Sequence, residues 1–550
     1  MRVLAVLNCC WIFAASAVAL DSLPRPIAPE VQVTRMYYVD PQQGDDSNDG
    51  LSRRTAWKSI ARANRALRPG EGVTLLAGEY LDERIEPAYS GEPGKPIVYQ
   101  GEGAGRTILR AQRARRLRDP KDGLVRFAGR DHIVVQDMEL DGARASLRPN
   151  EEVACVNVVG SHNVFRRLKI RDANGTGVWF VGSEATATDG QPLNRTERNL
   201  VEQCEIYYCC SLDKANPPGT PENRSSAVVH LNCGPGNVVR LCHIHHNGAD
   251  AIQPRLGGSD FLIEWNDLHG NNEDAIDLKS PTGVTVRYNL IHNNRKEGMV
   301  IHDLSGKPAQ PLSGGVNAYG NFFVRQSLNA LRIAGLTRSG DEMHETFHLH
   351  DNVFVCSGTV ATVFLVQAPL RFERNLCVVE GNMVAFLDKH AQDGSGGPPL
   401  IARTKFHGNL IHSNSSTEPI FAAVAEPEFP TGPFLGANLF SLLQDAPAIF
   451  KTPRTAWPPP GAEVSPGTVG WQELTTQLPS LADSRFQRVE FRDPNRLDYR
   501  PKSNDVPESF GPNWKEHLGW IEQKHLESIA SPASPFEAGH YIWDRSQVRQ

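Results

Sequence analysis

An all-β parallel solenoid is the fold class this chain predicts, on three observations. Asn289-Leu-Ile, Asn321-Phe-Phe, Asn352-Val-Phe, Asn375-Leu-Cys, Asn409-Leu-Ile and Asn438-Leu-Phe set a polar residue before apolar ones every 23 to 34 residues, and Asn266-Asp-Leu fits one turn earlier. Asp250-Ala-Ile-Gln-Pro-Arg255, Asp274-Ala-Ile-Asp-Leu-Lys279 and Glu297-Gly-Met-Val-Ile-His302 repeat a second pattern at separations of 24 and 23. The apolar runs span only three to five residues and are broken by Asn, Gly and Asp, which is too short for the faces of a helical repeat. One period is then one coil, or rung, whose inward face is buried only by stacking, so the ends require caps.

The elements follow in chain order. Met1 to Ala19 carries one Arg, an apolar run through Val3 to Val18, and a small-residue ending, Ala17-Val18-Ala19; this reads as an export signal cleaved near Leu20. Met36 to about Gly101 holds Tyr37-Tyr-Val-Asp, Gly44-Asp-Asp-Ser-Asn-Asp-Gly50, Trp57 and Pro69-Gly-Glu-Gly-Val-Thr-Leu-Leu76, the entry to the coil, with Ala61 to Leu67 as a short capping helix. Rungs run from about Ile97 to Phe450, so cap and coil span 36–450. Pro458, Pro459 and Pro460 open a break, and 451–550 reads as a final coil and an extended tail with little core of its own.

Composition narrows the function classes. A net charge of -6 with interspersed signs and no basic tract argues against a nucleic-acid binder. After the leader no stretch approaches a membrane span. Eight cysteines remain, with no metal-type spacing; Cys204 and Cys242 take an apolar repeat position and read as buried thiols. No Gly-x-Ser-x-Gly elbow and no phosphate-binding glycine loop is present.

Stacked rungs turn spacing into columns. Asp250, Asp274 and Glu297 form one; Arg255, Lys279 and His302 form another, with neighbours about 5 Å apart. Two carboxylates at that distance repel by roughly 3 kcal/mol at an effective dielectric near 20, so the acids must be solvated, protonated or joined by a hard cation. With Ile276 and Leu278 inward, Asp277 and Lys279 point outward together, as do Gln253 and Arg255 below and Val300 and His302 above. The plain alternative is a solvated face on which Asp277 and Lys279 simply pair, worth at most about 1 kcal/mol. His245, His269 and His292 stack at the same spacing; lacking an added carboxylate, they read as a ladder on a different sheet. Asn247, Asn271 and Asn294 read as an amide ladder that satisfies backbone groups at a bend.

The entry segment, Tyr38-Val-Asp-Pro, Asp45 to Gly50, Thr55-Ala-Trp-Lys-Ser-Ile60 and Gly70 to Tyr80, resembles the start of secreted right-handed parallel β-helix proteins. The resemblance implies a right-handed, single-stranded coil with an N-terminal cap and a C-terminal extension. Asp274-Ala-Ile-Asp-Leu-Lys-Ser280 followed by Val284-Thr-Val-Arg-Tyr-Asn289 is similar to the catalytic rung of the alginate and chondroitin lyases of polysaccharide lyase family six. That similarity implies Lys279 as base and a calcium ligand at Asp274; a second ligand position falls on Asn272, and His302 stands where that family has an arginine. Glu273-Asp274, Asp277 and Asp250 also resemble the calcium ligands of the pectate lyases of family nine, whose lysine would fall on Lys296 or Lys307.

Together these imply an exported, monomeric lyase of an acidic polysaccharide of the alginate, pectate or glycosaminoglycan class. Calcium would sit on Asp250, Asp274, Asp277 and Glu297. Removal of the C5 proton of a uronate requires its carboxylate to be neutralised and a base within reach, so Arg255 would grip the carboxylate and Lys279, its pKa lowered by neighbouring cations and burial, would take the proton. His302 completes the catalytic set. A glycoside hydrolase using two of Asp250, Asp274, Asp277 and Asp303, a uronate epimerase, and a non-catalytic carbohydrate-binding or surface protein remain open on these residues.

Overall fold

A computed structural model describes residues 31–111, 123–143, 154–173, 175–182, 196–210, 226–257, 260–302, 314–326, 328–333, 347–357, 362–366, 370–380, 383–386, 405–413, 421–423, 436–441, 450–451, 468–469, 483–494 and 498–513. The leader, Asp303, Lys307, Pro458 to Pro460 and the last 37 residues lie outside this set.

Short β-rich runs bounded by turn residues become three long sheets, here A, B and C in the order each rung visits them. They contain 13, 14 and 13 strands, and each strand pairs with those one rung away. All these pairings are parallel except the last of sheet C, where Phe450–Lys451 meets Thr468–Val469 antiparallel. The inward residues of all three sheets, such as Val286, Ile291 and Ile276, are fully buried in one continuous core. Within it, Phe323 and Phe354 stack at 4.9 Å, and Phe372 and Phe406 at 5.1 Å.

The corner between sheets A and B takes two residues, and this explains the recurring Asn. The first is left-handed in every described rung from Asp137 through Arg167, Gln203, Leu241, Trp265, Tyr288, Gly320, Asp351 and Arg374 to Gly408. A non-glycine residue there costs on the order of 1 kcal/mol. The second residue offsets it: the Asn289 side chain accepts from the Asn266 backbone N–H at 3.0 Å and donates to Ile263 O at 2.9 Å, and Asn321, Asn352, Asn375 and Asn409 repeat this. Cys204 and Cys242 occupy this same corner position, not a strand position; both are buried, and Cys242 N–H donates to Asn266 Oδ1 at 3.0 Å. All eight described cysteines are free thiols.

The start of the coil is closed by the helix Ile60–Ala66, capped by the Ser59 side chain on Arg62 N–H. Trp57 lies beneath it, stacked on Tyr37 at 4.5 Å. Gly50, left-handed at φ 72°, is required there because a Cβ would lie 2.5 Å from the indole. At the other end, Arg485–Phe486 adds a last strand to sheet B. The following segment packs against the coil: Val489, Phe491, Tyr499 and Phe510 meet outward residues of sheet B from Leu290 to Leu439, forming a second apolar cluster. Among the described residues no helix is long and apolar enough to cross a membrane.

Candidate active site

Three consecutive strands of sheet C, Ile252–Gly257, Ile276–Pro281 and Met299–His302, and the bends that lead into them carry the candidate residues. Ile252, Ile276 and Met299 are in register and point into the core, so strand alternation sends their neighbours outward. Arg255 pairs in register with Lys279, and Lys279 with His302.

The acids stand at the bend that leads into each strand, and backbone hydrogen bonds hold them there. Asp250 Oδ1 accepts from Asp274 N–H at 3.0 Å, and Asp274 Oδ1 accepts from Glu297 N–H at 2.9 Å. This is the carboxylate counterpart of the neighbouring amide ladder, in which Asn271 Oδ1 accepts from Asn247 N–H at 3.2 Å and Asn294 Oδ1 from Asn271 N–H at 3.1 Å. Amides carry no charge; carboxylates do. Burial raises Asp250 well above the ordinary carboxylate range, with Asp277 adding to it, and burial followed by the Asp250 charge does the same to Asp274.

Asp277 has the opposite fate. Its burial opposes ionisation, but His302 Nε2 at 3.0 Å from Oδ1 and Lys279 Nζ at 3.0 Å from Oδ2 outweigh it and hold the carboxyl down at about 2. Lys279 responds in kind: burial and Arg255 push its pKa down, yet Asp277 carries the net shift upward. This corrects the lowered lysine pKa expected from the sequence, because the nearest charge is a carboxylate and not a cation. Nor is the face solvated: Asp277 is 5% and Lys279 4% exposed, so the pair is buried and does not belong to the weak surface class. Arg255 and His302 are only partly buried and form the accessible flanks.

Gln253 is a connector that sequence reasoning passed over. Its Nε2 donates to Asp250 Oδ2 at 2.6 Å and to Asp277 Oδ2 at 3.2 Å, and its Oε1 accepts from Arg255 Nε. Outward parity was the available signal, but an amide there carries no chemistry of its own. Ser226 Oγ adds a contact to Asp250 Oδ2 at 3.2 Å.

Asp250, Asp274 and Asp277 each offer an oxygen within 4.8 Å of the others; Glu297 is not among them, and its Oε1 instead lies 3.4 Å from Arg332 Nη1. An all-oxygen donor set suits a hard cation of the calcium class. Asp277 is already balanced, whereas Asp250 and Asp274 call for a proton or a cation, so the set fits. Of the alternative positions, Asn272 Oδ1 accepts from Arg295 Nη1 at 2.9 Å, and Lys296 Nζ pairs with Glu273 at 3.0 Å.

The right-handed β-helix region family matches residues 154–327, a stretch that includes the whole site. No curated protein matches the chain. Among solved structures, a variant of the PL6 family alginate lyase AlyGC aligns at 12% identity over 83% of this chain and 56% of its own, with a TM-score of 0.52. Pectate lyase Pel9A aligns at 18% identity over 64% of this chain and 78% of its own, TM-score 0.39. The A-module of the Azotobacter vinelandii mannuronan C-5 epimerase AlgE4 aligns at 14% over 69% and 86%, TM-score 0.38. At such identities the likeness is one of fold, and the chain is a right-handed parallel β-helix.

Proposed function

We propose that the protein is an exported polysaccharide lyase that cleaves a uronate-containing chain by β-elimination at the outer face of sheet C. One observation carries the reading: Arg255, Lys279 and His302 stand in register on three successive rungs beside the converging oxygens of Asp250, Asp274 and Asp277. A row of cationic or proton-exchanging groups suits an anionic sugar, and its rung spacing of about 4.8 Å is close to the length of one sugar unit. The apolar leader supports export.

In this reading Arg255 takes the uronate carboxylate, for which its planar guanidinium is shaped. Lys279, Asp277 and His302 act as a unit. One buried carboxylate between two bases stabilises one positive charge well and two poorly, so the unit can accept a proton at one end as it donates at the other. Because its pKa is raised, Lys279 holds the unit's proton, and the base role expected of it passes to its partner: His302 takes the C5 proton, the electron pair forms the C4–C5 double bond, the C4–O bond breaks, and Lys279 protonates the departing oxygen. Asp277 is a positioning residue for both. A calcium ion, when held by Asp250, Asp274 and Asp277, supplies carboxylate neutralisation.

Glycoside hydrolysis is the weaker reading: inversion needs carboxyls roughly 6.5 to 9.5 Å apart, whereas these acids converge to within 4.8 Å, and a retaining pair gives no purpose to the row of Arg255, Lys279 and His302. The test is incubation with alginate, pectate and glycosaminoglycans. Unsaturated uronate products absorbing in the ultraviolet support elimination. New reducing ends without that absorbance, altered uronate stereochemistry without cleavage, or binding alone each overturn it in favour of a hydrolase, an epimerase or a binding protein.

A further inference from the structure

The outer face of sheet B changes character along the coil. Its early rungs alternate in sign: Glu139 and Asp141 face Lys169 and Arg171, with Arg171 Nε 2.7 Å from Glu139, and Lys169 lies next to Glu205 on the following rung. Its late rungs are apolar under the C-terminal segment, from Leu290 and Phe322 onward. Between them lie His243 and His245 on the strand His243–His245, Asp267 and His269 on Asp267–His269, and His292 one rung above.

This middle group is neither an alternation of Lys or Arg with acids nor an apolar face: its imidazoles gather around carboxylates, His245 Nε2 lying 3.4 Å from Glu205 Oε1 and its Nδ1 2.6 Å from His246 Nδ1. His243 is in register with Asp267 and His245 with His269, so four outward side chains mark the corners of a patch on two adjacent strands, about 4.8 Å by 7 Å at the backbone. Ring nitrogens of His243, His245 and His269 lie mutually within 4.8 Å. His245 and His269 are parallel at 5.2 Å, and His243 approaches His245 at 4.1 Å. The carboxylate that the sequence reading found lacking is Asp267: its Oδ1 lies 3.1 Å from His269 Nδ1 and 3.0 Å from His292 Nε2. A carboxylate on Nδ1 fixes the ring and aims Nε2 away from it, the arrangement that supports a metal-bound imidazole. His243 Nε2 is enclosed and makes no hydrogen bond, with Asp267 Oδ2 3.7 Å away.

We propose that His243, His245 and His269 bind a borderline divalent ion of the zinc class, with Asp267 orienting His269 and His292 from behind. Imidazole donors select such an ion over calcium, and three of them with one solvent position complete a tetrahedral shell. The site lies on sheet B, apart from the oxygen cluster of sheet C, and ties two successive rungs together.

Titration of chelator-treated full-length protein with zinc chloride, followed calorimetrically, is expected to show one saturable site. Asp277→Asn, on sheet C, leaves that site unchanged. His269→Ala weakens it about 100-fold and Asp267→Asn about 10-fold, the second keeping side-chain shape if the first fails to fold. Cobalt in place of zinc is expected to give the intense visible bands of tetrahedral coordination, lost in the same variants. No saturable zinc site, or zinc binding that follows Asp277→Asn and ignores both sheet B variants, overturns the proposal.

Discussion

Replacing Asp250 by Asn tests the electrostatics of the sheet C site directly. The substitution preserves shape and keeps an oxygen to accept the Asp274 N–H, as the asparagines of the adjacent ladder do. Of three buried carboxylates whose oxygens lie within 4.8 Å, Asp277 is balanced by Lys279 and His302, and the substitution removes the repulsion between the other two, about 3 kcal/mol at an effective dielectric near 20. Weakened contacts to Gln253 and Ser226 return about 1 kcal/mol. The net expectation is a stabilisation of about 2 kcal/mol at mildly alkaline pH in chelator. The sign with pH follows from the raised pKa values of Asp250 and Asp274: the folded state holds their protons more tightly than the unfolded chain. That contribution is present below the ordinary carboxylate range and is lost as pH rises through the folded values, so the gain in the variant grows over the same window. Urea unfolding of both proteins in chelator, at acid and at alkaline pH, measures it; excess calcium then stabilises the parent and much less the variant. A variant less stable than the parent by about 1 kcal/mol or more in chelator at alkaline pH refutes the argument, since the acids would then not repel.

Lys279→Met is expected to abolish formation of unsaturated product and also to cost about 3 to 5 kcal/mol, because the Asp277 carboxylate loses a buried partner; an unchanged melting curve means the pair is not buried. Asp277, held at about 2 against 3.8, contributes about 2 kcal/mol of stability that is present above pH 3.8 and lost as pH falls toward 2; Asp277→Asn removes that acid-side slope in denaturation curves. Asn321→Ala, in the corner ladder, strands Asn289 N–H and Val286 O without partners and is expected to cost about 2 to 4 kcal/mol in denaturant unfolding; a loss below about 1 kcal/mol refutes the ladder's role.

The sequence by itself determined the coil, the order of its parts and which residues share a column, because in a stacked fold separation along the chain maps onto position along the axis. The period that aligns Asn289 with Asn321 also aligns Lys279 with Arg255 and His302, and alternation sets which side each faces. Tertiary structure alone decided the environment of those columns. That Lys279 is buried against Asp277, with its pKa raised, depends on which of several nearby charges comes within 3.0 Å, a matter of rotamers and enclosure that no spacing encodes. Gln253 joined Asp250 to Asp277, and Asp267 joined two histidine rungs, only once strands distant in sequence lay side by side. Likewise Val489, Phe491 and Tyr499 found their core on sheet B, because a segment with little apolar surface of its own is ordered by the face it covers.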